Sequence, residues 1–170
     1  HPMRIDEIKG NLKGYAPHLI LLIVSGFVLF YNIRNIVNFP GYSGSLGANG
    51  ADEGVFLMTA RLVSSGAEMY RDVNTHQGPL FSFLLTLLEG DPVDSRIMTA
   101  FIGLACIVGV MIITNIITGR KAALYSGIFL SCNFLFFKES RHVSFDLYAT
   151  TLLVLGLVPI LVYLGDLKEP

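Results

Sequence analysis

Charge is what this chain has least of. Only 15% of its 170 residues are charged, against roughly 25% in an average soluble domain, while 52% are hydrophobic. Too few groups face water for an ordinary soluble fold. The formal net charge is -1, so there is no basic excess and no electrostatic footprint for nucleic acid. No heptad tract, collagen-like period or long polar tail is present, which removes coiled-coil, fibrous and disordered classes. Cysteine is scarce too: Cys106 and Cys132 both lie in uncharged apolar runs, where free Cys behaves as a small hydrophobe. No other Cys or His flanks either at metal-ligand spacing. What remains is a polytopic membrane protein, or a piece of one.

Apolar runs are what the chain has instead. Gly14 to Ile33, Ile97 to Gly119 and Leu147 to Gly165 are uncharged and long enough to cross a bilayer as helices. Ala122 to Phe137 reaches only about 24 Å as helix and needs its flanks, or local thinning, to cross. A fifth run, Pro79 to Leu88, would reach about 15 Å and reads as interfacial or re-entrant, with Pro at its first position suiting a helix start. The expected fold is all-α. It is one polytopic module over residues 1–170, with spans at about 14–35, 97–118, 121–138 and 146–165 and interfacial helices at about 51–66 and 79–89.

Basic residues orient it. Arg4, Lys9 and Lys13 precede the first span, Arg120 and Lys121 fill the second-to-third connection, and Lys168 follows the fourth. With four spans these share one side, which the positive-inside rule makes cytoplasmic, together with both termini. The long first loop and the short loop Lys138 to Phe145 then face outward. Within the first loop, Gly41 to Gly50 reads as a flexible link, lacking the Lys-Ser/Thr of a phosphate-cradling loop. Ala51 to Ser65 has helical periodicity, with Val55, Met58 and Leu62 on one face, Asn49 or Asp52 able to cap the start, and Gly66 able to end it. Such a helix suits the outer membrane surface.

A few residues are placed for chemistry. Asp52 and Glu53 are adjacent acids in the expected first turn of that helix, where the backbone dipole favours an ionised carboxylate. An ionised Asp there can act as a general base toward an acceptor hydroxyl, although acids at helix starts also simply cap. Asp146 stands at the outer end of the fourth span, where a carboxylate is costly without a task or a partner. Arg141 and His142 lie in the same loop, so an Arg141–Asp146 pair anchoring a helix end is the plain alternative. His76, ahead of Pro79, can meet an anionic head group or snorkel. The spacings Ala105/Gly109 and Gly127/Ser131 point to close helix packing, not to chemistry.

The order of these elements resembles the first outer loop of GT-C fold glycosyltransferases, among them the protein O-mannosyltransferases and the lipid A aminoarabinose transferases. The resemblance is carried by Ala51-Asp52-Glu53-Gly54-Val55-Phe56, Ala60-Arg61-Leu62, Gly66, Tyr70-Arg71-Asp72 and His76-Gln77-Gly78-Pro79-Leu80. Ser95-Arg96, Gly119-Arg120-Lys121 and Ser140-Arg141-His142-Val143-Ser144-Phe145-Asp146 continue it, so it covers nearly the whole chain after the first span. It departs at Gln77-Gly78, where Pro-Pro or x-Pro is usual. It implies transfer of a sugar, with inversion, from a polyprenyl-phosphate carrier (dolichyl phosphate among them) to an extracytoplasmic protein or lipid acceptor. By that resemblance Asp52 is the base, Glu53 supports it and Asp146 completes the acidic site. Arg61, His76 and Arg141 are then the cations for the leaving phosphate. No cofactor is implied with certainty; a divalent metal would draw on Asp52, Asp146 and His142. Family enzymes have seven spans and more, with a C-terminal acceptor-selecting portion, so the remainder of a longer enzyme or a further copy of the chain is an expected partner. The alternative is a non-catalytic membrane module that binds polyprenyl-phosphate lipid or scaffolds a partner subunit. An ion transporter fits less well, because all four spans are uncharged.

Overall fold

Residues 5–31, 33, 48–74 and 77–166 are described by the computed structural model. They form seven helices: α1 Ile5–Phe30, α2 Ala48–Ser64, α3 Pro79–Thr86, α4 Pro92–Thr118, α5 Arg120–Ser131, α6 Phe134–Glu139 and α7 Phe145–Asp166. No strand occurs among the described residues, only an isolated bridge between Met69 and Val73. The fold is all-α. His76 and the Gly/Ser-rich stretch before α2 lie outside the described residues.

Among the described residues, two helices, α4 and α7, are long and apolar enough to cross a membrane. They run parallel and side by side. Thr99 meets Tyr148 near their starts, and further along Gly109 faces Val154 and Leu155. Of the most apolar stretch, 39% is buried in α4 and 17% in α7, so α4 is the central helix and α7 an outer one. The outer surface carries Phe27, Ile117, Phe129 and Leu153, each more than 60% exposed. So much bare apolar surface is costly in water and suits a lipid surround. The protein is therefore read as membrane-associated.

The element boundaries show where local chemistry prevailed over apolar runs. Helix α4 begins at Pro92, about five residues before the expected span, because the Asp91 carboxylate accepts from the amides of Val93 and Asp94 at 2.8 and 2.9 Å. The Asp-Pro pair thus opens α4, whereas α3 already ends at Thr86. The expected third span is not one helix. It stops at Cys132, and Asn133 caps a new short helix by accepting from the Phe136 amide at 2.9 Å. Helix α5 alone is about 18 Å long, well short of a bilayer core. Helix α2 ends where its Gly suggests. Gly66 takes φ +104, and the Ala67 amide donates back to the Leu62 carbonyl in a Schellman arrangement. A single residue, Gly119 at φ +99, joins α4 to α5 in a reversal that a side chain would strain.

Small residues set the helix spacing, as their pattern implied. A methyl group on Gly109 would sit 2.7 Å from Val154, and one on Gly127 would sit 2.8 Å from the Met111 sulfur. Ser25 and Ser131 meet across α1 and α5 through a 2.9 Å hydrogen bond. Cys106 is buried, Cys132 exposed, and both are free thiols. At one end of the bundle, α2 and α3 fold over the starts of α4 and α7. The core there holds Leu57, Ala60, Phe81, Leu85, Val143 and Tyr148, with Phe81 ringed edge-on by Phe56, Phe145 and Tyr148. Burying side chains such as Phe81 and Leu85 contributes roughly 1.5–3 kcal/mol each. This cap positions the candidate site.

Candidate functional site

Helix α2 starts at Ala48, a turn earlier than the sequence pattern indicates, so Asp52 and Glu53 lie beyond its first turn. Neighbouring residues on a helix point about 100° apart, and here that angle separates two roles. Asp52 is exposed, whereas Glu53 turns inward and is only 6% exposed. Both Glu53 carboxylate oxygens accept from one guanidinium: Arg96 donates from Nε at 2.8 Å and from Nη2 at 3.2 Å. A bidentate pair of this kind is among the strong charge-assisted contacts. It clamps α2 onto the second turn of α4. In the sequence Arg96 figured within the Ser95-Arg96 pair of the resemblance, and this role was missed. The signal was available: a guanidinium entering an apolar span is as costly without a partner as the Asp146 carboxylate.

His142 lies beside this pair and is 2% exposed. Burial lowers its affinity for a proton first of all. Glu139 and Glu53 pull that affinity back up, while Lys138 and Arg96 push it further down. Arg141, also buried, donates to the Tyr31 carbonyl at the end of α1 and lies with its guanidinium carbon 5.0 Å from the Phe137 ring centre. Burial draws its pKa below the ordinary arginine value. These two contacts join the end of α1 to α6. Beneath them, Thr99 and Tyr148 share a 3.1 Å hydrogen bond, and the Ser140 hydroxyl fits against Gly103.

Asp146 is exposed in the first turn of α7, at the same end of the bundle as Asp52. Arg61 is exposed on the last turn of α2, with its stem against Gly90. There a methyl group would come within 2.7 Å of the Arg61 Cγ and 2.5 Å of the Leu57 carbonyl. Polar contacts tie residues 68–73 and Gln77 between α2 and α3. Arg71 bridges Glu68 at 2.7 Å and Asp72 at 3.1 Å, and the Tyr70 hydroxyl donates to the Gln77 carbonyl at 2.9 Å. The Arg71 side chain, then the Glu68 amide, hold the Asp72 carboxyl below its usual range. The Tyr70-Arg71-Asp72 segment thus has a turn-forming task.

Helices α2 and α3 carry apolar surface outward as well as inward. Val55, Met58 and Leu62 on α2 are exposed, as are Leu80, Phe83 and Leu87 along and just after α3. The inner face of α2 is a different one, formed by Glu53, Leu57 and Ala60. Among the described residues, no three His, Cys, Asp or Glu side chains are grouped so as to hold a metal ion, so Asp52, Asp146 and His142 do not form such a group. Of the acids and cations named for chemistry, Asp52, Asp146 and Arg61 are accessible, at the end of the bundle that also holds the buried Glu53–Arg96 pair. Comparisons with protein-family models, curated proteins and solved structures produced no match.

Proposed function

We propose that the chain is a membrane-embedded glycosyltransferase module of the GT-C type, transferring a sugar from a polyprenyl-phosphate carrier to a protein or lipid acceptor. Four membrane crossings belong to this reading: α1, the α5–α6 pair with its break, α4 and α7. The site end faces out of the cytoplasm. The observation that carries the proposal is the division of labour within the acidic pair. Glu53 is locked to Arg96, which fixes α2, and its neighbour Asp52 remains accessible on that fixed helix. A general base needs both qualities, accessibility and a defined position.

In the reaction, the acceptor hydroxyl oxygen attacks the anomeric carbon from the face opposite the phosphate, and Asp52 takes the hydroxyl proton. The bond from the anomeric carbon to the phosphate oxygen breaks, and its electron pair leaves with the polyprenyl phosphate, so configuration inverts. Charge growing on that phosphate calls for a fixed cation. Arg61 is exposed and suited to this, and His76 remains the second candidate. Arg141 is a weaker one, since it is buried against Tyr31 and Phe137. Asp146 would orient the acceptor.

The test is sugar transfer from a labelled polyprenyl-phosphate hexose in proteoliposomes. Asp52→Asn keeps the shape of an exposed side chain, so folding is retained while transfer falls about a hundredfold or more. Undiminished transfer in that variant overturns the assignment of Asp52. If the unaltered chain binds the carrier yet transfers nothing, the non-catalytic lipid-binding module becomes the better reading.

A further inference from the structure

At the end of the bundle opposite the acids, α1, α4 and α5 enclose a groove of about 240 Å³. Its lining is graded along its length. Tyr15 and Asn115 stand at one level, followed by His18 with Ile112, then Leu22 with Val108, because α1 and α4 run antiparallel through it. The groove is polar at the Arg120 end and apolar toward the middle of the bundle. Tyr15 and Ile112 are 42% and 40% exposed, so it opens sideways onto the outer surface.

His18 is the feature a purely structural groove does not account for. It is 8% exposed, and its Nε2 lies 3.0 Å from the Arg120 carbonyl. A carbonyl can only accept, so that nitrogen carries the proton, and in the neutral ring Nδ1 is an acceptor. Nδ1 is buried without a hydrogen-bond partner, an arrangement that costs free energy until something donates to it. Beside the mouth, the Arg120 guanidinium carbon lies 4.1 Å from the Tyr15 ring centre and supplies a positive charge. A hydrogen-bond acceptor, an amide and a cation therefore stand at the head of an apolar channel.

We propose that this groove binds one anionic phospholipid whose head group carries a hydroxyl. The phosphate faces Arg120 and Asn115, the head group folds back beside it so that its hydroxyl donates to His18 Nδ1, and an acyl chain lies against Leu22 and Val108. The size agrees with this occupant. A site enclosing a whole small molecule usually measures roughly 300–1,000 Å³, and a smaller open groove takes part of a ligand whose remainder stays in the bilayer. The site is distinct from the acidic end and does not depend on sugar transfer.

The experiment is native mass spectrometry of the full chain, delipidated in detergent and then offered phosphatidylglycerol or phosphatidylcholine. One phosphatidylglycerol per chain should be retained about fivefold better than phosphatidylcholine, the scale of one added hydrogen bond. His18→Ala should erase that preference. Ile112→Trp fills the groove from a partly exposed position, leaves the His18–Arg120 contact in place, and should abolish retention of both lipids. Equal retention of the two lipids by the unaltered chain overturns the proposal, as does undiminished phosphatidylglycerol binding in a folded Ile112→Trp protein. Inorganic phosphate at millimolar concentration should not displace the lipid. Displacement would identify a free phosphate site and overturn the lipid assignment.

Discussion

The two ends of this bundle handle an arginine in opposite ways. Arg96, at the end capped by α2 and α3, is buried and satisfied by a carboxylate 43 residues away in sequence. Arg120, at the other end, lies over the Tyr15 ring beside an open groove. A charge drawn into an apolar bundle needs an opposite charge in good geometry, whereas a charge near its edge can rest on an aromatic face with its head near water. The capped end is accordingly closed and cross-linked by polar contacts. The other end keeps accessible space.

Breaking the buried pair is the most severe way to test this contrast. Arg96→Met leaves Glu53 buried without its partner and should destabilise the fold by about 3–5 kcal/mol. Combining it with Glu53→Leu should recover much of that loss, as read by equilibrium denaturation in mixed micelles. Gly109→Val acts on the seam shared by both ends. Its new side chain would press on Val154 and Leu155, with an expected cost of about 1–3 kcal/mol and loosening at both ends in hydrogen exchange. Arg120→Ala removes the contact with Tyr15 and the packing of the guanidinium against Gly14, and should cost about 0.5–1 kcal/mol. If Arg120→Ala proved as damaging as Arg96→Met, the two ends would not differ as described.

The smallest expected effect is a slope with pH. His142 has its pKa lowered from an ordinary 6.5, chiefly by burial, so the unfolded chain binds the extra proton more readily than the folded one. Its contribution is therefore fully present above about pH 6.5 and is lost as pH falls from there toward the folded-state value. Thermal denaturation between pH 7.5 and pH 5 should show this decline, and His142→Gln should flatten it. An unchanged slope in that variant would assign the decline to other groups.

Several features were legible in the residues because they are local. The apolar runs yield α1, α4 and α7, Gly66 ends α2, and Pro79 begins α3. Small residues at helical spacing do mark close approaches, at Gly109 and Gly127. Other features were visible yet ambiguous. Asp91-Pro92 can end one helix or start the next, and only the second holds: α3 already ends at Thr86, and the Asp91 carboxylate caps α4. The break at Asn133 was hidden inside a stretch whose hydrophobicity is nearly continuous, since a capping hydrogen bond leaves no trace in hydropathy. For the candidate site, the sequence brought Asp52, Glu53 and Asp146 to notice. It gave no reason to separate Glu53 from Asp52, because a one-residue step decides which carboxylate faces the core only once the core exists.

The sequence by itself determined a helical, lipid-compatible chain: sparse charge and long apolar runs permit little else, because each helix satisfies its own backbone hydrogen bonds. Tertiary structure alone decided which charges meet. Glu53 finds Arg96, Arg141 finds Tyr31, and His18 finds Arg120 across 43, 110 and 102 residues. Those partners are set by how helices pack, and no periodicity within a single helix encodes the side chain that will stand opposite it.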